Sequence, residues 1–403
     1  MRRRHDQLAR ELPSAVLTHQ PALDGLRAVA ILLVLGYHAR LPGFTHGDLG
    51  VDVFFELSGF LITTMIFSEI ATTGAFSFRV FYARRFVRLF PAYFLLLLAC
   101  LAATAVRGYS GTLRGAALSF FYIANWGAAQ SQGLGLLRHT WSLSIEEQFY
   151  IIWPATLVLL IRLLRARAVA LALSISTLIL VSYGLSLLAL SRGTALIWVA
   201  NATPTRSGML LVGALLAVAL ARWSGNGSTR AWLPGLDLAG GIGLAALLGV
   251  AMFRVTTTWN LVGVVWPIVA LATAATVAAS VLRPKGRLAR VLSLSPLIAI
   301  GRRSYGIYLW QYPVFLVLDT EFRGLGAGQV LVGSVLTLAL AAASYRFVEQ
   351  PLIASFRARR RRDPDSRAYP VPGRPVEHQK LSPPGSPTGL SWGRPGQRAT
   401  DSG

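Results

Sequence analysis

Titratable residues are sparse in this chain and they gather in four places, so the chemistry is the natural starting point. The stretch LDGLRAVAILLVLGYHAR puts Asp24 and Arg27 at the head of an apolar run and His38 eleven residues beyond Arg27. On a helix eleven residues rise roughly 16 Å and complete close to three turns, so Arg27 and His38 share a face at different depths. In GVDVFFELSGFLIT, Asp52 and Glu56 are four apart, on one face, with Gly59 just behind. Two carboxylates on an apolar helix need a partner, and His38, Arg40 or an arginine from another segment qualifies. A carboxylate against His38 would set its tautomer and raise its basicity. The plainer alternative is a buried polar group that only orders the helices.

The other two clusters have complementary charge. FRVFYARRFVRLFPAY carries Arg84, Arg85 and Arg88 ahead of Pro91, a proline suited to the first turn of the next helix. Arginine is well shaped for bidentate phosphate contacts, so Arg27, Arg85 and Arg88 form a candidate site for a phosphorylated co-substrate, with topogenic charge as the competing reading. HTWSLSIEEQFYIIWP sets His139, Glu146 and Glu147 among Trp141, Tyr150 and Trp153 at the entrance of another apolar run. Ser144 followed by Glu147 also has the spacing of a capping box, a structural role that does not exclude a site.

The elements that must position these residues are membrane helices. The 403 residues are 54% apolar and only 14% charged, whereas soluble domains carry about a quarter charged residues. Apolar runs near the roughly 20 residues needed to cross hydrocarbon recur along the first 350 positions. We place ten spans, at 22–41, 50–70, 88–107, 146–165, 168–190, 205–222, 236–253, 260–282, 302–320 and 328–348. The fold class expected is an all-α integral membrane protein. The stretch 113–127 is too short and too polar for a span and suits an interfacial or re-entrant segment.

Charge sets the expected orientation. Arginines and lysines concentrate in one alternating set of segments, including Arg79, Arg84, Arg85 and Arg88, then Arg162, Arg165 and Arg167, then Arg283 to Arg303, so both termini are expected in the cytoplasm. The organisation expected is a cytoplasmic segment over 1–21, a transmembrane domain over 22–353, and a disordered Arg/Pro/Gly-rich tail over 354–403. The N-terminal stretch lacks an apolar core and is not expected to be a cleaved signal. The net charge of +22 comes largely from the cytoplasmic loops and tail, which points to anionic inner-leaflet lipids as partners; no recognition module accompanies it, so nucleic acid is not an expected partner. The lone Cys100 lies in an apolar run, which argues against a disulfide framework or a thiolate metal site, and no metal is expected.

Taken together, the arginine and histidine separated by ten residues, VDVFFELSGFLI, Arg85 and Arg88 in RRFVR, WSLSIEEQFY, SYGIYLWQYPV and YRFVEQPL resemble the membrane-bound acyltransferase 3 family. The resemblance covers nearly the whole bilayer part. It implies an O-acyltransferase of the cell membrane that uses acyl-CoA as co-substrate and holds no permanent cofactor. It also implies a sugar-containing acceptor, either an envelope glycan or glycolipid or a cytoplasmic glycosylated small molecule such as a macrolide. Arg27, Arg85 and Arg88 then correspond to donor-phosphate contacts, His38 to the essential base, and Asp52 and Glu146 to residues that orient or charge-balance it. Ser58, Tyr150 and Tyr305 are polar neighbours in the pocket. An acyl–histidine intermediate is the chemical alternative to general-base catalysis.

Two departures stand out: Gln311 where many relatives have histidine, and Glu56 where an apolar residue is common, which points to an altered acceptor side. No fused extracytoplasmic domain is expected. The rival function class is a small-solute transporter, because intramembrane charge also marks transport paths, but the two related halves usual in transporters are not evident.

Overall fold

The computed structural model describes residues 20–224, 233–253, 257–321 and 327–362. The expected N-terminal segment up to residue 19, the 225–232 loop and the tail from 363 lie outside these residues. Among the described residues the chain is helical, with no strand. Its long helices are α1 (Pro21–His38), α2 (Gly50–Thr73), α3 (Phe78–Arg107), α4 (Trp141–Leu163), α5 (Ala168–Ser191), α6 (Thr203–Ser224), α7 (Leu233–Met252), α8 (Trp266–Leu282), α9 (Ser304–Glu321), α10 (Ala327–Ser344) and α11 (Gln350–Arg362). Nine segments of the described residues are long and apolar enough to cross a bilayer. The protein is a multi-pass membrane protein.

Nine of the ten expected spans coincide with these nine segments, and the difference is informative. The expected span at 302–320 is α9, an 18-residue helix of sufficient length that is not among the nine. Tyr305, Tyr308, Trp310, Gln311 and Tyr312 lower its hydropathy, and most of their side chains are buried against other helices, where a polar atom costs less than it would in lipid. The stretch 113–127 forms two short helices, Thr112–Phe120 and Ala124–Ala129, too short to span.

Three boundaries shift. Helix α3 begins at Phe78, ten residues before the expected start, so Arg79, Arg84, Arg85 and Arg88 ride on the helix and Pro91 lies inside it rather than in its first turn. Of these, Arg85 is met by the Glu147 carboxylate and the Tyr150 ring. Helix α4 begins at Trp141, so Ser144 and Glu147 sit past the first turn and form no capping box; Ser144 Oγ instead donates to the Thr140 carbonyl. At the far end, α10 passes through a π-turn (Tyr345–Glu349) into α11, which continues to Arg362, so residues 354–362 extend a helix rather than begin the tail. Alanine and arginine favour that continuation.

Without a hydrophobic force between helices in lipid, packing depends on close backbone approach. The most extensive helix pair is α2 with α6. A Cβ on Gly59 would strike the Leu210 carbonyl, and one on Gly213 would strike the Glu56 carbonyl. These glycines bring α6, and the arginine near its start, against the carboxylate face of α2. Helix α9 packs along α1 and α10, and its residues reach α3 through Tyr305 and α4 through Tyr308 and Ser142.

Candidate active site

Three polar clusters are built by these helices. The first is at the Arg27 end of α1. Arg27 Nε donates to Ser304 Oγ at 3.3 Å, and its guanidinium lies 5.9 Å from the Phe54 ring centroid. Arg85, two helices away in sequence, lies over the Tyr150 ring with its Cζ 3.0 Å from the centroid, and its Nε is 3.6 Å from Glu147. Tyr150 donates to Ser58 Oγ at 2.8 Å, and Ser58 donates to Glu146 at 2.8 Å. Glu146 feels the charges of both Arg85 and Arg27. Arg88 is exposed and lies in electrostatic range of Arg27, Arg85, Tyr150 and Glu349. Tyr305 is adjacent through α9, its hydroxyl committed to the Leu89 carbonyl at 2.9 Å. Thus Arg27, Arg85, Arg88, Ser58, Glu146, Tyr150 and Tyr305, drawn from five helices, converge on one region, with Glu147 and Glu349 as additional carboxylates. Three arginines brought together, two half-buried and one exposed, have the chemistry that suits a polyphosphate.

The second cluster surrounds His38 at the other end of α1. Its Nδ1 is 3.0 Å from the Val34 carbonyl. A carbonyl only accepts, so the Nδ1 position carries the proton and the lone pair is on Nε2. The ring is held edge-on by Tyr37 and by Tyr312, each with centroids 5.2 Å from it. Tyr312 in turn stacks on His139 at 5.1 Å. His139 is buried, its Nε2 3.1 Å from the Leu309 carbonyl and its Nδ1 without a partner.

The third cluster corrects the expected environment of His38. Asp52 does not meet His38; it is ion-paired with Arg206 on α6 at 2.5 Å. Arg206 is 5% exposed, sits over the Trp266 ring at 4.3 Å and is flanked by Phe55 and Trp141. Among the described residues no hydrogen bond or ion pair joins His38 to Asp52, Glu56 or Glu146. A carboxylate with a cation in contact gains more there than from a neutral imidazole, which explains the choice. Arg40 is likewise taken, by Asp319 at 2.9 Å. Glu56 is buried with both oxygens unpartnered, and Gln311 is buried with both amide atoms unpartnered.

Sequence reasoning overlooked Arg206 and Tyr312, and it grouped His139 with Glu146 and Glu147 rather than with Tyr312 and His38. Arg206 had a usable signal, because an arginine just inside an apolar run is as expensive as the residues that were singled out. Tyr312 had none: one tyrosine among several in SYGIYLWQYPV is distinguished only by which helix it touches.

The bundle of membrane helices thus gathers arginines at one end of α1 and a histidine bonded to the Val34 carbonyl at the other. Residues 20–346 match the family described as "Acyltransferase domain", and the chain belongs to that family, the one its motifs resemble. It is 31% identical over 353 residues to "O-acetyltransferase OatA" of Staphylococcus aureus (strain NCTC 8325 / PS 47), covering 82% of this chain and 57% of that protein. It is 35% identical over 350 residues to "Putative peptidoglycan O-acetyltransferase YrhL" of Bacillus subtilis (strain 168), covering 82% of this chain and 54% of that protein. The chain therefore spans a little more than half the length of these relatives. No solved structure matches it.

Proposed function

We propose that this domain is an O-acyltransferase that moves a short acyl group, acetyl being the simplest, from acyl-CoA to a hydroxyl of a sugar-containing acceptor in the cell envelope. The observation that carries the reading is the His38 Nδ1 contact with the Val34 carbonyl. It gives a base whose free nitrogen is defined without a carboxylate partner. In this reading the acceptor hydroxyl gives its proton to Nε2 as its oxygen attacks the thioester carbonyl. The carbon–sulfur bond then breaks, and the proton held at Nε2 passes to the departing thiolate, leaving the ester and free CoA. Arg27, Arg85 and Arg88 bind the donor phosphates from the cytoplasmic side, an orientation supported by the concentration of basic residues in the segments at that end. Asp52 enters as a support for α2 and α6 rather than as a partner of His38.

Family membership and the names of the relatives, which specify O-acetyl transfer and in one case peptidoglycan, support an envelope glycan or glycolipid acceptor over a cytoplasmic glycosylated small molecule. The same comparisons count against the transporter alternative.

The test is acyl transfer from radiolabelled acetyl-CoA in inverted membrane vesicles containing the wild type, His38→Ala or Arg27→Ala, with glycolipid and soluble glycoside fractions counted separately. Label that disappears with His38→Ala is expected in the glycolipid or glycan fraction. Undiminished label in His38→Ala vesicles would remove His38 as the base. Absence of label from every fraction, with normal membrane insertion, would overturn the reading.

A further inference from the structure

Arg138 lies in a 3-10 turn (Gly135–Thr140) immediately before His139, the residue whose ring stacks on Tyr312 beside His38. The turn is anchored from two sides. The His139 carbonyl accepts from Tyr308 at 2.9 Å, and the His139 ring bonds the Leu309 carbonyl, both on α9. Arg138 is exposed and feels, or is felt by, Tyr37, His38 and Tyr312. Exposed and one residue before His139 on this braced turn, Arg138 places a positive charge at the rim of the histidine cluster.

Three other arginines are already committed to carboxylates. Arg40 is paired with Asp319, and Arg107 with Glu321. Arg206 is buried on Asp52. Among the described residues no ion pair or hydrogen bond occupies Arg138. An exposed, unpaired arginine held close to a general base on a braced turn can offer a planar pair of N–H donors to a carboxylate or phosphate.

We infer that Arg138 is the acceptor-recognition residue of this enzyme, binding an anionic group, a carboxylate or phosphate, on the sugar-containing acceptor while a nearby hydroxyl of that acceptor faces His38. The inference rests on the acyltransferase reading above. It divides the anion-binding work by position. The arginines at the Arg27 end take the donor, and Arg138 takes the acceptor from the opposite end of α1. Phosphate headgroups of the surrounding bilayer have the same chemistry as such an acceptor, so the test separates the two sources.

The experiment is direct binding to the full-length protein in nanodiscs, using a neutral N-acetylhexosamine oligosaccharide and the same oligosaccharide carrying a carboxylate. It is run on the wild type, Arg138→Gln, Arg138→Lys and the surface control Arg192→Gln, in phosphatidylcholine discs and in discs containing phosphatidylglycerol. Wild type and Arg192→Gln should prefer the carboxylate-bearing glycan by roughly tenfold in both lipids, Arg138→Lys should keep part of that preference, and Arg138→Gln should lose it. Equal binding of the two glycans by the wild type, or the same loss in Arg192→Gln, would overturn the inference. So would a preference abolished by phosphatidylglycerol, which would assign Arg138 to lipid headgroups. Because binding needs no turnover, carboxylate preference without any acetyl transfer would sink the transferase reading and keep the site, whereas transfer without preference would do the reverse.

Discussion

Arg27 and Ser304 lie 277 positions apart in the chain and are joined by a hydrogen bond of 3.3 Å from Nε to Oγ. Eight residues along the same helix, Tyr312 sets its ring edge-on against His38. Helices α1 and α9 therefore run side by side in the same direction, and α9 holds the arginine end and the histidine end of α1 in fixed relation. A single rigid helix that touches both sites keeps their separation constant, which positional catalysis requires.

Removing the serine hydroxyl should loosen Arg27 without deleting its charge. Ser304→Ala is expected to raise the KM for acyl-CoA about fivefold, the effect of one ordinary hydrogen bond, with kcat little changed. Arg27→Ala should raise it much further. Donor titrations in vesicles would check this, and a fall in kcat with constant KM for Ser304→Ala would show that the contact serves the chemical step instead.

The Asp52–Arg206 pair predicts a compensation experiment. Asp52→Ala leaves a buried guanidinium without its counter-ion, and the cost should be about 3–5 kcal/mol. The double variant Asp52→Leu, Arg206→Met removes both charges and should recover most of that stability. Thermal unfolding in detergent reads the stability, and acetyl transfer reads the role. Recovery of both would assign Asp52 a supporting function, whereas a stable double variant with no transfer would return Asp52 to the reaction.

Glu146 and Glu147 are neighbours with different partners, so they should fail differently. Glu147→Gln weakens the contact with Arg85, 3.6 Å away, and is expected to change donor KM together with its salt dependence. Glu146→Gln keeps the shape of the Ser58–Tyr150 chain but removes a charge that Arg85 and Arg27 both feel. It should tighten binding of free CoA by removing a like charge from the phosphate site. Isothermal titration with CoA on the two variants compares them, and identical shifts would mean that the carboxylates act as one.

The α2–α6 interface should tolerate no added volume at its two close approaches. Gly59→Val and Gly213→Val each drive a side chain into a facing backbone carbonyl, of Leu210 and Glu56 respectively. Both variants should lose the monodisperse peak in fluorescence-detected size exclusion, whereas Gly184→Ala on α5, where a Cβ meets nothing, should elute like the wild type. A well-behaved Gly213→Val would mean that α6 can retreat from α2.

Much of this protein is legible in its residues alone. Hydropathy is local: whether a 20-residue run prefers lipid depends on its own side chains, so nine spans could be located before any packing was considered. The grouping of Arg27, Arg85 and Arg88 was legible as arginine chemistry, whereas Ser58 and Tyr150 entered only through the family resemblance, and Glu146 was expected beside His38 but lies in the Ser58–Tyr150 chain instead. Where the reading failed, a choice between partners was at stake. Asp52 had His38, Arg40 and an unidentified arginine as candidates, and only the approach of α6, made possible by Gly59 and Gly213, shows that Arg206 takes it. The Tyr37–His38–Tyr312–His139 assembly and the rim position of Arg138 depend on the register of α9 against α1 and on a braced turn, neither of which leaves a periodic mark. Sequence by itself determined which segments enter the bilayer and which residues are too costly to be there by accident, because both are sums over local transfer energies. Tertiary structure alone decided which costly residues neutralise one another and which stay open to react, because a pair energy falls steeply with distance and that distance is set by helices far apart in the chain.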